Sequence, residues 1–143
     1  MNTTLLRTGL AGLAAVALMI AAAHAETQTY KAALSAAAQV PPNDSKGTGA
    51  LTSTYDTATK KLTWTVTFSG LSGSVTAAHF YGPAAAGANA GVVVPQKDGL
   101  TSPMKGEATL TDAQAADLQA GKWYFNIHTE SNKGGEIRGQ VMK

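Results

Sequence analysis

Leu62, Trp64, Val66 and Phe68 alternate with Thr63, Thr65 and Thr67, and further along Trp123, Phe125 and Ile127 alternate with Tyr124, Asn126 and His128. Successive side chains of a strand point to opposite faces, so this period of two predicts half-buried strands, apolar on one side and polar on the other. Weaker versions of the pattern mark Thr29–Ser35, Gly49–Tyr55, Val75–Tyr81, Gly91–Pro95, Lys105–Leu110 and Glu136–Met142. Asp56-Thr57-Ala58-Thr59-Lys60 separates two of these runs and reads as a hairpin loop, which makes its flanking strands antiparallel neighbours. The chain contains no cysteine, so such a fold is held by packing and sheet hydrogen bonds alone. The same absence excludes zinc ribbons, iron–sulfur clusters and a thiol nucleophile.

One helix interrupts the strands. Thr111-Asp112-Ala113-Gln114 matches a capping box, in which the Thr111 hydroxyl accepts from the Gln114 amide and the Gln114 side chain reaches back. Ala113, Ala115, Ala116, Leu118 and Ala120 favour helix, and Gly121 supplies a stop. A helix of about two turns is too short to stand alone, so it is expected to pack as a connection between strands. Some eight short strands and one helical crossover predict an all-β fold, an antiparallel sandwich or barrel. Ala36–Gly47, with Pro41-Pro42 and Asn43-Asp44, reads as a loop, and Gly82–Gly91 is too poor in large side chains to be a strand. Such a small-residue stretch is either flexible filler or a place where backbone approaches something closely.

Met1–Ala25 has the parts of a secretory signal peptide: Arg7 ahead of the uncharged, mostly apolar run Thr8–Ala23, then the small-x-small cleavage site Ala23-His24-Ala25. A run of that length is short of the ~20 apolar residues a spanning helix needs. Cleavage near Ala25 leaves residues 26–143 as one domain, expected to be periplasmic or secreted and without a transmembrane segment. Lys and Arg number 11 against 9 Asp and Glu, a net charge of +2 with no basic run, which argues against a nucleic-acid partner. A monomer is expected, with open edge strands as the route to a dimer.

Several stretches, taken in order, resemble the CHRD domain, a family named after chordin. Tyr30–Ser35 followed by Gln39-Val40-Pro41-Pro42 looks like the family's opening strand and turn. Gly49-Ala50-Leu51 and Leu62-Thr63-Trp64 are similar to its next two strands. Gly70-Leu71, Ala77-Ala78-His79 and Gly82-Pro83-Ala84 resemble its histidine-x-histidine-glycine-proline-alanine segment. Leu118–Gly121, Tyr124–Thr129 and Gly135–Val141 resemble its closing blocks. The resemblance implies an immunoglobulin-like or Greek-key β-sandwich and no defined reaction. It also implies a comparison of the histidine segment with the copper ligands of Cu/Zn superoxide dismutase.

Outside the leader the chain has two histidines, His79 and His128, each on an expected strand. Where the family has a second histidine two positions on, this sequence reads His79-Phe80-Tyr81, so Tyr81 shares the face of His79. Two roles are open to the pair. One is a copper or zinc site in which His79 and His128 need help from Glu130, Glu136 or another donor. The other is a structural polar cluster that includes Tyr81, Asn126, Glu136 and Arg138, with Glu136 and Arg138 bridging each other or pairing with His128.

Other site chemistry has little support. There is no Gly-x-Ser-x-Gly elbow, Gly47-Thr48-Gly49 lacks the phosphate-loop lysine, and nothing singles out two of the carboxylates as a hydrolytic pair. Asn43-Asp44-Ser45 matches a glycosylation sequon, and Trp64 and Trp123 sit where core packing is the default. The expected function is an exported, non-catalytic binding or structural module of the cell envelope with an unidentified envelope or extracellular partner. The alternatives are a transition-metal protein with a redox or dismutase-like role and an envelope enzyme. A buried carboxylate of shifted pKa in a pocket would mark the enzyme.

Overall fold

A computed structural model describes residues 24–97 and 99–143; most of the leader and Asp98 lie outside the described residues. Eight strands run in chain order: β1 (Thr27–Ser35), β2 (Thr48–Asp56), β3 (Lys61–Ser69), β4 (Val75–Tyr81), β5 (Val92–Pro95), β6 (Met104–Thr109), β7 (Trp123–Thr129) and β8 (Ile137–Val141). Helix α1 (Asp112–Gln119) connects β6 to β7. The strands form one sheet in the order β5-β4-β7-β8-β1-β2-β3-β6, and every neighbouring pair is antiparallel. The fold is all-β with one short helix, as expected, and its eight strands lie in a single sheet.

The alternation sets the register. In β3, Leu62, Trp64 and Val66 are buried, and Tyr55 and Leu51 lie opposite Leu62 and Val66 on β2. In β4 and β7, Ala78 and Phe80 pair with Ile127 and Phe125 and point to the same core. The sheet rolls on itself. Trp64 of β3 and Phe80 of β4 are far apart in the strand order, yet their rings meet edge-on at 5.0 Å. Phe80 also touches Phe125 at 4.9 Å and Trp123 at 5.6 Å. Each such fully buried side chain contributes about 1.5–3 kcal/mol, and edge-to-face ring contacts add to that. The layers expected of a sandwich are opposite walls of this one curled sheet.

The two edges of the sheet nearly meet. Gln96, one residue past β5, donates from Nε2 to the Lys105 carbonyl of β6 at 2.8 Å and accepts at Oε1 from Trp64 Nε1 at 2.7 Å. Helix α1 lies over the same seam, where Gln114 Nε2 donates to the Val93 carbonyl at 3.4 Å. Both halves of its capping box are present: Gln114 N donates to Thr111 Oγ1 and Thr111 N to Gln114 Oε1. Leu118 is fully buried, and Gly121, at φ +70°, carries the chain out of the helix. The expected hairpin loop joins β2 to β3, with Asp56 Oδ1 accepting from the amides of Ala58 and Thr59. Among the described residues no helix is long and apolar enough to cross a membrane.

Candidate functional site

The residues singled out for chemistry lie mostly on the face of β4, β7 and β8 that points away from the core. His79 pairs with Asn126, Tyr81 with Tyr124, and Ala77 with His128 across β4 and β7. Asn126 pairs in turn with Arg138, and Tyr124 with Gln140, across β7 and β8. A period of two puts all of these on one side of the sheet. Asn126 and Arg138 are nevertheless buried, because residues 36–47 and 82–91 fold over them.

Those two loops reach the sheet by hydrogen bonds. Gln39 Nε2 donates to Asn126 Oδ1 at 2.7 Å, and Arg138 donates to Asn89 Oδ1 at 2.7 Å and to the Ala88 carbonyl. Gln140 Nε2 donates to the carbonyls of Ala84 and Gly121, both at 2.8 Å. Ala90 N donates to the Tyr124 hydroxyl at 3.0 Å, and Asn89 Nδ2 ties the loops together through the Val40 carbonyl. The small-residue stretch Gly82–Gly91 is therefore a place of close backbone approach. Its alanines and glycines leave carbonyls and amides within reach of long polar side chains from the sheet.

Along the same face, rings form a continuous stack. The Arg138 guanidinium carbon sits 3.5 Å from the centre of the Tyr124 ring. Tyr124 stacks on Tyr81 at 5.1 Å and 3°. The Tyr81 hydroxyl then lies 2.7 Å from His128 Nε2 and 3.2 Å from His79 Nδ1, and the two imidazole centres are 5.3 Å apart. His128 Nδ1 is 2.9 Å from the Lys133 carbonyl, which can only accept, so this nitrogen carries the proton. In the neutral ring Nε2 is then the acceptor, Tyr81 donates to it, and the Tyr81 oxygen accepts from His79 Nδ1–H. Burial and the neighbouring His128 hold the His79 pKa below its ordinary value. Burial and Tyr124 raise that of Tyr81.

Glu136 departs from the expected arrangement. It was expected to share a strand face with Arg138, to bridge it, or to pair with His128; it does none of these. Glu136 sits in a bend between Gly135 (φ +125°) and Ile137, the first residue of β8, so it lies outside the strand and its side chain does not follow the strand's alternation. Glu136 turns instead into one end of the barrel and is fully buried. Its carboxylate accepts from Ser45 Oγ (2.6 Å), Ser72 N (2.8 Å), Ser72 Oγ (2.7 Å), Thr129 Oγ1 (2.7 Å) and Asn132 Nδ2 (3.2 Å). Burial pushes this carboxyl up, but the hydrogen bonds from Ser45, Ser72 and Thr129 outweigh it and hold the pKa at about 2. The hub ties the β1–β2, β3–β4 and β7–β8 connections together. Asn43 of the sequon is part of it, donating from Nδ2 to the Glu136 carbonyl at 3.0 Å.

The pairing of Tyr81 with His79 was legible from the spacing, whereas Gln39, Asn89, Tyr124 and Gln140 were missed. Their partners are backbone groups and side chains from distant segments, and only the alternation on β7 hinted that Tyr124 faces outward. Trp64 and Trp123 are core residues, as expected.

Curled antiparallel sheet and loop-covered polar face together define a compact all-β module. The chain belongs to the CHRD domain family, whose model matches residues 30–141. No curated protein and no solved structure is similar enough to this chain to count as a match.

Proposed function

We propose that this chain is exported and works without catalysis, as a binding or structural module of the cell envelope. The observation that carries the reading is that the polar side chains of this face hold the protein's own loops. Arg138, Asn126, Gln140 and Tyr124 each hold a loop segment. Glu136, the buried carboxylate of shifted pKa, is shifted downward: it is ionised at neutral pH and both its oxygens accept several donors. It has no proton to give and little basicity to offer, the reverse of a carboxyl poised for general acid–base work. Among the described residues no serine or threonine hydroxyl bonds a histidine, which a triad-like nucleophile would need. Export rests on the signal-peptide pattern of Met1–Ala25.

The test is expression of the full chain in a Gram-negative host, followed by fractionation, intact-mass measurement and crosslinking in living cells. A mature form beginning at Glu26, found in envelope or medium and crosslinked to a partner, supports the proposal. An unprocessed chain retained in the cytoplasm overturns it.

A second reading, a copper or zinc site, is favoured by one arrangement. His79 Nδ1, Tyr81 Oη and His128 Nε2 converge within hydrogen-bond distance, and the other nitrogen of His128 is held by a carbonyl, as metal-ligating histidines commonly are. These donors fit a three-ligand site one short of tetrahedral, and the raised Tyr81 pKa works against a phenolate. Among the described residues no three His, Asp or Glu side chains come together. Elemental analysis after growth with copper and zinc tests the reading. One metal per chain, lost in His79→Ala and in His128→Ala, supports it; metal-free protein overturns it.

A further inference from the structure

Arg138 is a buried cation whose neighbours are all neutral. It is 2% exposed, and the ion pairs among the described residues are Lys60–Asp112 and Lys61–Glu107, on another part of the molecule. Its charge is met by the Ala88 carbonyl, the Asn89 side-chain oxygen and the face of Tyr124. A guanidinium has five N–H donors, and those hydrogen bonds use two of them. Taking a cation out of water without a counter-charge is costly, so a site of this kind favours an incoming anion.

The same side chain lines a cleft of about 240 Å³ between the two covering loops. Ala37 and Ala38 form one wall, Ala86 and Gly87 the other, and Gln140 lies beside Arg138 at the base. Arg138 is the one charged residue on the lining. With one N–H of Nη1 and one of Nη2 held by the loop, the remaining N–H groups of a single guanidinium match a small planar monoanion. A phosphate dianion would call for a second cation or a nest of amides. The methyl-lined walls and a volume below the ~300 Å³ at which drug-sized sites begin restrict the ligand to about one residue in size.

We infer that this cleft binds a small carboxylate, anchored by Arg138 and closed in by residues 37–40 and 86–87. The inference rests on the reading of the chain as a non-catalytic binding module and gives that module a ligand class.

The experiment is an NMR titration of the ¹⁵N-labelled exported protein with N-acetylalanine, its neutral amide N-acetylalaninamide, and inorganic phosphate. The expected result is saturable shifts at the Ala37, Ala86 and Gly87 amides with the acid alone, absent in Arg138→Gln. Because Arg138→Gln removes a buried group and can unfold the protein, Ala86→Leu is the second variant. Ala86 is exposed, so the fold survives, and filling the wall weakens binding roughly tenfold. Acetyl-trialanine with a free C-terminus separates the sources of the carboxylate: binding at least as tight as N-acetylalanine assigns a peptide terminus, and exclusion assigns a free acid. The inference is overturned if the acid gives no saturable shift, if amide or phosphate binds as well as the acid, or if Ala86→Leu binds like the parent protein. Failure of that kind leaves the module reading standing. Conversion of the probe, visible as new probe signals, overturns the non-catalytic reading and supports the cleft.

Discussion

Glu136 gathers three loop connections at a single carboxylate, and its energetics follow from that. Its folded pKa of about 2 lies below the ordinary 4.5, so it contributes stability that is complete above pH ~4.5 and is lost as pH falls toward 2. The shift corresponds to about 3 kcal/mol. Acid denaturation followed by circular dichroism should therefore show a loss of stability between about pH 5 and pH 2. Glu136→Gln should remove most of that pH dependence and cost about 1–3 kcal/mol in urea unfolding, since its amide faces donors with donors. His79 carries the opposite charge type with the same sign of linkage. Its pKa is lowered, so the neutral ring is favoured by folding, and the associated stability is present above pH ~6.5 and lost as pH falls through the folded pKa. An NMR titration should place its midpoint below the ordinary histidine value. Tyr81→Phe should alter the ¹⁵N shifts of both rings, because each loses its partner at the phenol oxygen.

At the scale of elements, α1 and β8 are the two that local physics leaves dependent on particular residues. The short helix α1 has a buried Leu118 and a complete capping box but little else to nucleate it. Thr111→Ala should cost about 1 kcal/mol, read by chemical denaturation, with Thr111→Ser close to the parent. Strand β8 runs so near β1 that a Cβ on Gly139 would collide with the Ala33 carbonyl oxygen, and Ser35 pairs with Arg138 alongside. Gly139→Ala should force the strands apart and cost about 2 kcal/mol or more. Hydrogen exchange should show the loss first at the Lys31–Met142 bridge, whose reciprocal bonds are 2.8 and 2.9 Å.

For the whole molecule, the seam between β5 and β6 decides whether the sheet stays curled. Gln96→Ala would strand the buried Trp64 indole N–H and the Lys105 carbonyl on either side of it. Each unsatisfied group costs about 1–3 kcal/mol, so a loss of about 2–4 kcal/mol is expected, with a red-shifted Trp64 fluorescence as the seam admits water. The strands, the capped helix and the hairpin were legible from sequence because each depends on neighbours in the chain: a period of two, a Thr-x-x-Gln box, an Asp-led turn. His79 and Tyr81 were legible as a pair for the same reason. Glu136 was misread because it sits in a bend one residue ahead of β8, and where a strand begins leaves no mark on periodicity. Arg138 was read as bridging Glu136 or pairing with His128, whereas its partners are a tyrosine face, a carbonyl and an asparagine nearly fifty residues away. By itself the sequence determined which segments are strands and which of their faces are buried, since those are set by local periodicity and apolar burial. Only the tertiary structure decided what lies on the polar face, because loop carbonyls and distant side chains find their partners through the curl of the sheet, and closure of that kind depends on contacts between residues far apart in the chain.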